Sequence, residues 1–164
     1  MMNKSRKKVE LLAPAGSLEK LRWAILYGAD AVYIGGLNYS LRANAKNFSL
    51  DEIKEGVSFA HENNCKVYVT INIVFHNEDT KDLLSYLKQL EKIGVDAIII
   101  SDPLVIDLVK KNNIKLALHL STQASVLNKD ALKYYEKLGV ERIVLARECS
   151  KADIEDIIKN TNME

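Results

Sequence analysis

The sequence predicts an α/β fold in which about six βα units build one parallel sheet, and two repeated patterns support this prediction. In the first pattern a helix ends at glycine, an acidic residue follows, and a short apolar strand completes the unit. It occurs three times, at Ser17–Gly36, Lys92–Asp102 and Lys137–Glu148. The second pattern occurs at Glu62–Asn72 and again, 49 residues later, at Lys111–Ser121. Its helix ends at an Asn pair, because asparagine tolerates the left-handed conformation better than most residues.

Each element follows from local signals. Ser17 caps the first helix, and Ser49 with Glu52 forms a capping box at the start of the second. Thr80 and Asn128 are the predicted caps of the third and fifth helices. The predicted strands are Val9–Ala13, Ala31–Ile34, Lys66–Val74, Ala97–Ile100, Lys115–Leu120 and Arg142–Leu145. The predicted helices are residues 17–27 and 49–62, Thr80–Ile93, Pro103–Lys111, Lys129–Leu138 and Lys151–Lys159.

The turn after the first strand helps to distinguish a barrel from an open layer. Pro14–Ser17 lacks the G-x-G-x-x-G pattern of a dinucleotide-binding sheet. Alternation of two unit types instead favours a barrel, in which odd and even strands pack differently. A complete (βα)8 barrel takes about 250 residues, whereas this chain has 164. We therefore predict an incomplete (βα)8, TIM-like barrel.

Composition is typical of a globular protein with one core. The chain has 48% apolar and 27% charged residues and a formal net charge of +1, so no overall field recruits nucleic acid. We expect a basic disordered tail at residues 1–8 and a partial barrel domain at residues 9–164. The apolar run Val9–Ala15 is too short for a signal peptide, and no run is long enough to span a membrane. The expected location is the cytoplasm.

Cysteine and histidine spacing argues against metal and disulfide chemistry within this chain. Cys65 and Cys149 fall at opposite edges of the predicted sheet, so a bridge between them is not expected. His61, His76 and His119 lack metal-ligand spacing. We predict no metal site and no cofactor within this chain.

Candidate binding residues lie at the carboxyl ends of the predicted strands, where parallel α/β folds bind their ligands. The 49-residue offset superposes Thr70 on His119 and Asn72 on Ser121, and the period of two places all four on equivalent faces. A substrate site at the barrel mouth is the main interpretation, and an internally satisfied polar layer is the alternative. The predicted substrate-binding residues are Arg42, Asn44, Thr70, Asn72, His119, Ser121, Gln123, Arg147 and Glu148.

Within this set Arg42 suits a carboxylate or phosphate, although a structural ion pair would also explain it. His119 and Ser121 do not form a convincing hydrolase pair, because they lie side by side on one strand and no G-x-S-x-G elbow presents the serine. We assign no catalytic residue. His76–Asp79 is interpreted as a turn that caps the third helix, and Asp102 before Pro103 as a further helix cap.

Several blocks in a fixed order carry a family resemblance. They are ELLAPAGS at Glu10–Ser17, GADAVYIGG at Gly28–Gly36, YSLRANAKNFS at Tyr39–Ser49, KVYVTIN at Lys66–Asn72, HLSTQ at His119–Gln123 and RIVLARE at Arg142–Glu148. Together they resemble the N-terminal region of peptidase family U32 over nearly the whole chain.

This resemblance implies a barrel-based enzyme family, named for collagenase-like peptidases, with members that help to hydroxylate RNA bases, including the wobble uridine of tRNA. It also implies a prephenate-like anionic ligand and, in a full-length form, an iron–sulfur cluster on cysteines beyond this region. The expected partners are therefore tRNA or an anionic small molecule. Two alternatives stay open: a collagenase-like peptidase, and a truncated, non-catalytic interaction module. Exposed sheet edges would allow a homodimer.

Overall fold

A computed structural model describes residues 9–41, 47–161 and 163–164, and within them six parallel strands alternate with six α-helices. Each strand pairs with the next one along the chain, so the sheet order is β1-β2-β3-β4-β5-β6. The strands are β1 (Leu12–Pro14), β2 (Ala31–Gly35), β3 (Lys66–Ile71), β4 (Ala97–Ile100), β5 (Ala117–Leu120) and β6 (Arg142–Ile143). The helices are α1 (Leu18–Leu26), α2 (Leu50–Glu62), α3 (Leu83–Ile93), α4 (Pro103–Lys111), α5 (Lys129–Lys137) and α6 (Lys151–Lys159).

The sheet is curled into a half-barrel, as an ion pair between its two ends demonstrates. Arg142 Nη1 on β6 lies 2.7 Å from the carboxylate of Glu10, two residues before β1. In a flat sheet with about 4.8 Å between strands, five strand steps would separate β1 from β6 by about 24 Å. No two side chains could span that distance. The predicted incomplete barrel is therefore confirmed, whereas the predicted tail at residues 1–8 lies outside the described residues.

Most of the predicted helix ends are confirmed by hydrogen bonds. Ser49 and Glu52 form the capping box at the start of α2, and the Asn128 side chain accepts from two backbone amides of α5. Asp102 accepts from the Leu104 amide at the start of α4. At the other ends, Gly94 closes α3 with φ near 90° in the left-handed region that favours glycine.

The predicted start of the third helix was wrong. Asp82, and not Thr80, occupies the position before α3. Thr80 instead ends a 3-10 turn over Asn77–Thr80, in which the Asp79 carboxylate accepts from the His76 amide. These polar residues bond among themselves before the helix starts, and their local bonds favour a separate turn.

Strand β3 is shorter than predicted and ends at Ile71 instead of Val74. The Asn72 and Ile73 amides leave the sheet and donate to the carbonyl of Tyr39, at 2.8 Å and 3.3 Å. The chain after β3 is therefore bonded to the β2–α2 connection, which matters for the site described below.

The two faces of the sheet bury different clusters. The outer face packs against the helices and forms the main core with them. Helix side chains such as Leu21, Ile53 and Leu87 are fully buried there. The inner face holds a separate, smaller cluster. It consists of Ala31, Tyr68 and Ala97, with Tyr33, Ile99 and Ala117 packed against them. Tyr33 and Ile99 of this inner cluster line one cavity of the lumen, and Tyr68, Ala97 and Ala117 line another, so the cluster lies between the two cavities.

Within the described part of the chain, no helix combines the length and apolar character needed to cross a membrane.

Candidate substrate site at the carboxyl ends of the strands

A cavity of about 370 Å³ opens at the carboxyl end of the half-barrel. We call it the mouth cavity. Its lining residues are Leu12, Tyr33, Thr70, Asn72, Ile99, Ser121, Thr122, Gln123 and Val144. The volume lies within the range of small-molecule sites. The structure thus brings together four of the predicted binding residues, namely Thr70, Asn72, Ser121 and Gln123.

Uncharged hydrogen-bonding groups form the polar side of the mouth cavity. Asn72 Nδ2 donates to Gln123 Oε1 at 2.8 Å, and the Ser121 hydroxyl donates to the same oxygen at 3.4 Å. The Thr70 hydroxyl donates to the Ile34 carbonyl at 3.2 Å and lies 3.0 Å from the Ser40 hydroxyl. Among the residues that the structure describes, none of those lining the cavity carries a charge. The cavity therefore suits a neutral, polar ligand with an apolar body.

The segment Tyr39–Leu41, which we call the strap, crosses beside the mouth cavity. The Leu41 amide donates to Asn72 Oδ1 at 3.2 Å, in addition to the bonds that the Tyr39 carbonyl accepts. The Tyr39 ring stacks on Phe75 with 5.8 Å between ring centroids and contacts Tyr86 at 5.2 Å. These bonds and rings fix the chain that leads into Arg42.

His119 is not among the residues that line the mouth cavity and faces a second cavity of the lumen. Its ring packs edge-on against Tyr68 with 4.6 Å between centroids, and it lines a smaller cavity of about 230 Å³. Arg142 donates to Glu10 and, at 2.8 Å, to Glu164, while the Tyr68 hydroxyl donates to Glu10 at 2.9 Å. We call these residues, Glu10, Tyr68, His119, Arg142 and Glu164, the floor cluster.

Burial and charge set the protonation states in the floor cluster. Burial, with a smaller contribution from the Arg142 cation, lowers the pKa of His119 to about 4, so its ring is neutral at pH 7. Burial alone would raise the pKa of Glu10, but hydrogen bonds from Arg142 and Tyr68 outweigh burial and lower that pKa. Burial and the bond to Glu10 raise the pKa of Tyr68. The cluster is therefore an ion pair with neutral aromatic neighbours.

The remaining predicted binding residues lie elsewhere. Arg147 and Glu148 are in an exposed turn after β6 and are not among the residues that line the mouth cavity. Arg42 and Asn44 lie outside the described residues.

Sequence reasoning missed the apolar and aromatic part of the mouth cavity. Tyr33 lines it on β2 in register with Tyr68, and Ile99 lines it on β4 in register with Thr70. A signal was present, because inner-face residues of a strand alternate with outer-face ones. Applying that period to β2 and β4 would have selected both residues. The predicted set contains polar side chains alone, so it lacks these two residues.

The positions of the His, Cys, Asp and Glu side chains show whether the described residues could bind a metal. Nowhere in residues 9–41, 47–161 and 163–164 do three His, Cys, Asp or Glu side chains come together in a way that could hold a metal ion. Cys65 is buried and Cys149 half-buried, and both are free thiols. Burial raises the pKa of Cys65 to about 11, which disfavours the thiolate that a metal needs. Because an iron–sulfur cluster is typically held by four thiolates, these side chains do not fit one.

Comparison with known proteins adds to this geometry. A model of peptidase family U32 matches residues 16–164. The chain is 48% identical over 158 residues to "tRNA hydroxylation protein P1" of Bacillus subtilis (strain 168), covering 96% of this chain and 37% of the relative. It is 41% identical over 150 residues to "tRNA hydroxylation protein P" of Escherichia coli (strain K12), covering 92% of this chain and 33% of the relative. The chain thus spans about a third of the length of these curated relatives.

A solved structure supports the fold. The structure of the U32 peptidase Mk0906 superposes with a TM-score of 0.79 at 17% identity, covering 100% of this chain and 70% of the other.

Proposed function

Because the chain belongs to peptidase family U32, we propose that it is the N-terminal barrel portion of a protein that hydroxylates an RNA base, most specifically the wobble uridine of tRNA. The two relatives named for tRNA hydroxylation support the reaction class. The observation that carries the proposal is the mouth cavity, which has the size and the uncharged polar lining to hold one base. We also propose a cytoplasmic location, which an RNA substrate of this kind supports.

The chemistry of a base matches the mouth cavity better than that of a bare anion. A pyrimidine presents donors and acceptors along one edge and a flat apolar face. Asn72, Ser121 and Gln123 supply the matching edge, while Leu12 and Ile99 supply apolar contact. A base must leave its stack to enter such a cavity. The side-chain amides of Asn72 and Gln123, at the rim of the cavity, would hold it in the flipped position.

In this proposal Arg42 binds the prephenate-like anion. The lining that the structure describes for the mouth cavity includes no cation to neutralise a carboxylate. Arg42 follows Leu41 directly in sequence, and the Leu41 amide is bonded to the cavity residue Asn72. A guanidinium binds carboxylates in a bidentate manner. We assign no catalytic residue to this chain and propose that it binds and orients ligands, with any iron–sulfur cluster held by cysteines outside it.

The test uses the full-length protein in cells that lack their own copy. Gln123→Ala should lower the fraction of hydroxylated uridine in digested tRNA at least about fivefold, measured by mass spectrometry, because it removes one rim amide. Gln89→Ala is the matched control, since Gln89 is exposed on α3 and its side chain bonds to Ser85 one turn earlier. Equal hydroxylation in the two variants would remove the base from this cavity.

The peptidase alternative lacks a comparable observation. Within the described chain the Ser121 hydroxyl bonds to Gln123, and His119 lies in the floor cluster beyond the inner cluster. A serine nucleophile requires an adjacent base, and this arrangement does not provide one. Release of peptides from gelatin by the purified full-length protein would reverse this preference.

A further inference from the structure

The side-chain carboxamide of Asn72, at the rim of the mouth cavity, bonds to two separate parts of the fold. Asn72 Oδ1 accepts from the Leu41 amide of the strap at 3.2 Å. Asn72 Nδ2 donates at 2.8 Å to Gln123, in the 3-10 turn after β5. Because β4 lies between β3 and β5 in the sheet, this second bond passes over the end of β4. The side chain of Asn72 therefore bridges the β2–α2 connection and the β5–α5 connection.

The strap needs such an anchor because its own conformation is unfavourable. Tyr39 has φ of 65°, in the left-handed region that residues other than glycine rarely adopt. Four contacts with β3 and the segment after it hold the strap in place. They are the bonds from the Asn72 and Ile73 amides to the Tyr39 carbonyl, the bond from the Leu41 amide to the Asn72 side chain, and the contact between the Ser40 and Thr70 hydroxyls.

The aromatic side of the strap limits where it can move. Tyr39 stacks on Phe75, which is half-buried, and contacts Tyr86, which is only 6% exposed. The rings hold the outer side of the strap, so the distance between the strap and the turn after β5 depends on the contacts on the inner side of the strap. Asn72 is the residue that bonds both to the strap, at Leu41, and to the turn, at Gln123.

We propose that Asn72 is a positioning residue, which sets the distance between the strap and Gln123 and so shapes the mouth cavity before a ligand enters. We call the two hydrogen bonds that join Leu41, Asn72 and Gln123 the joint. The effect of the joint on turnover rests on the proposed function, whereas the joint itself does not. Only a carboxamide of this length offers both an acceptor for Leu41 and a donor for Gln123. A carboxylate offers acceptors alone.

A charge-swap series tests the joint. In Asn72→Asp the acceptor for Leu41 stays, and Gln123 can turn its own amide to donate to the new carboxylate. In Gln123→Glu the Asn72 amide still donates. Both single variants should therefore keep the joint. The double variant N72D/Q123E places two carboxylates at the former hydrogen-bond distance with no donor between them, so it should open the joint.

Two readouts separate the joint from its consequence. The first is hydrogen exchange of the Leu41 amide, measured by NMR on this chain. We expect about fivefold faster exchange in N72D/Q123E, and less than about twofold change in either single variant. The second is hydroxylated uridine in tRNA from cells that carry the full-length variants. Because both side chains also belong to the proposed base-binding edge, each single variant should lose some hydroxylation, and the double variant should lose at least about fivefold more than the product of the two single losses.

The matched control is Lys88→Gln with Gln89→Glu, which makes the same change in net charge on the exposed side of α3. Exchange at Leu41 that equals the sum of the single effects, or that the control reproduces, would overturn the proposal. If exchange shows the coupling while the double variant and Gln123→Ala both hydroxylate tRNA normally, the joint stands and the proposed function fails.

Discussion

Arg142 Nη1 donates to Glu10 Oε1 at 2.7 Å across 132 positions of the chain. The bond links the segment before β1 to β6 at the lumen floor, with both side chains largely buried, at 14% and 18% exposed. The Tyr68 hydroxyl donates to the second oxygen of the same carboxylate. A half-barrel is thus held curled by a polar contact at one end of its lumen.

Removing the cation from this contact should destabilise the chain. Arg142→Met leaves the Glu10 carboxylate without its main partner in a largely buried place, which typically costs about 3 kcal/mol of unfolding free energy. Urea denaturation followed by circular dichroism measures the change. Arg22→Met is the control, because Arg22 pairs with Glu55 on the surface and such pairs contribute about 0–1 kcal/mol. Similar losses in both variants would contradict the role of the floor cluster.

Acid should destabilise the fold in a range that His119 defines. Because folding lowers the pKa of His119 from 6.5 to about 4, the unfolded state binds more protons between these values. Stability is therefore complete above pH 6.5 and falls as the pH drops toward 4, by up to about 3 kcal/mol at 1.36 kcal/mol per pKa unit. Glu10, whose pKa folding also lowers, adds a loss below about pH 4.5.

The measurement is the urea unfolding free energy at a series of pH values from 8 to 4. His119→Gln should flatten the slope between pH 6.5 and 4.5, because it removes the titrating group. His76→Gln serves as control, since His76 is exposed before the 3-10 turn. An unchanged slope in His119→Gln would show that other groups cause the pH dependence.

A tight contact beneath the strap gives a third prediction. A side chain at Gly36 would meet the hydroxyl of Tyr86, which is buried and has no hydrogen-bond partner among the described residues. Gly36→Ala should therefore cost about 1–3 kcal/mol. Tyr86→Phe should be neutral or slightly stabilising, because it removes an unsatisfied hydroxyl. In thermal unfolding, the double variant should lose less than Gly36→Ala alone, and an additive loss would contradict the contact.

Anion binding should depend on Arg42. Arg42→Ala in the full-length protein should weaken prephenate or tRNA binding at least about tenfold, because a bidentate guanidinium contact is lost. Isothermal titration calorimetry with prephenate and filter binding with tRNA measure the two ligands separately. Arg147→Ala is the informative comparison, since Arg147 lies in the exposed turn after β6. Unchanged affinity in Arg42→Ala, or an equal loss in Arg147→Ala, would remove the assignment.

The fold was predictable because its signals are local. Helix ends at Gly94 or at the Asn63 and Asn64 pair, caps such as Ser49, and apolar strands each occupy a few residues, and all of them repeat along the chain. Strands that follow one another in sequence also lie side by side. Where several polar residues competed, as at Asp79 and Thr80, the exact boundary depended on side-chain bonds that no pattern specifies.

The site was only partly predictable because a strand pattern gives the face of a side chain but not its height in the barrel. Thr70 and His119 do share the inner face, through Ile99 between them. Strands in a barrel are tilted, however, so laterally paired residues lie at different heights. Thr70 therefore lines the mouth cavity while His119 lines the floor. The contact between Glu10 and Arg142 joins residues with no shared motif, so nothing local could indicate it.

The strict sequential order of the strands has a consequence for biosynthesis. Every strand pairs with the one made just before it, so each new βα unit emerging from the ribosome finds its docking edge already built. Domains of this kind can assemble vectorially from the N-terminus. Glu10 precedes Arg142 by 132 positions, so the bond between them can form only after β6 has been made. The contact that joins the two ends of the sheet therefore forms late in synthesis.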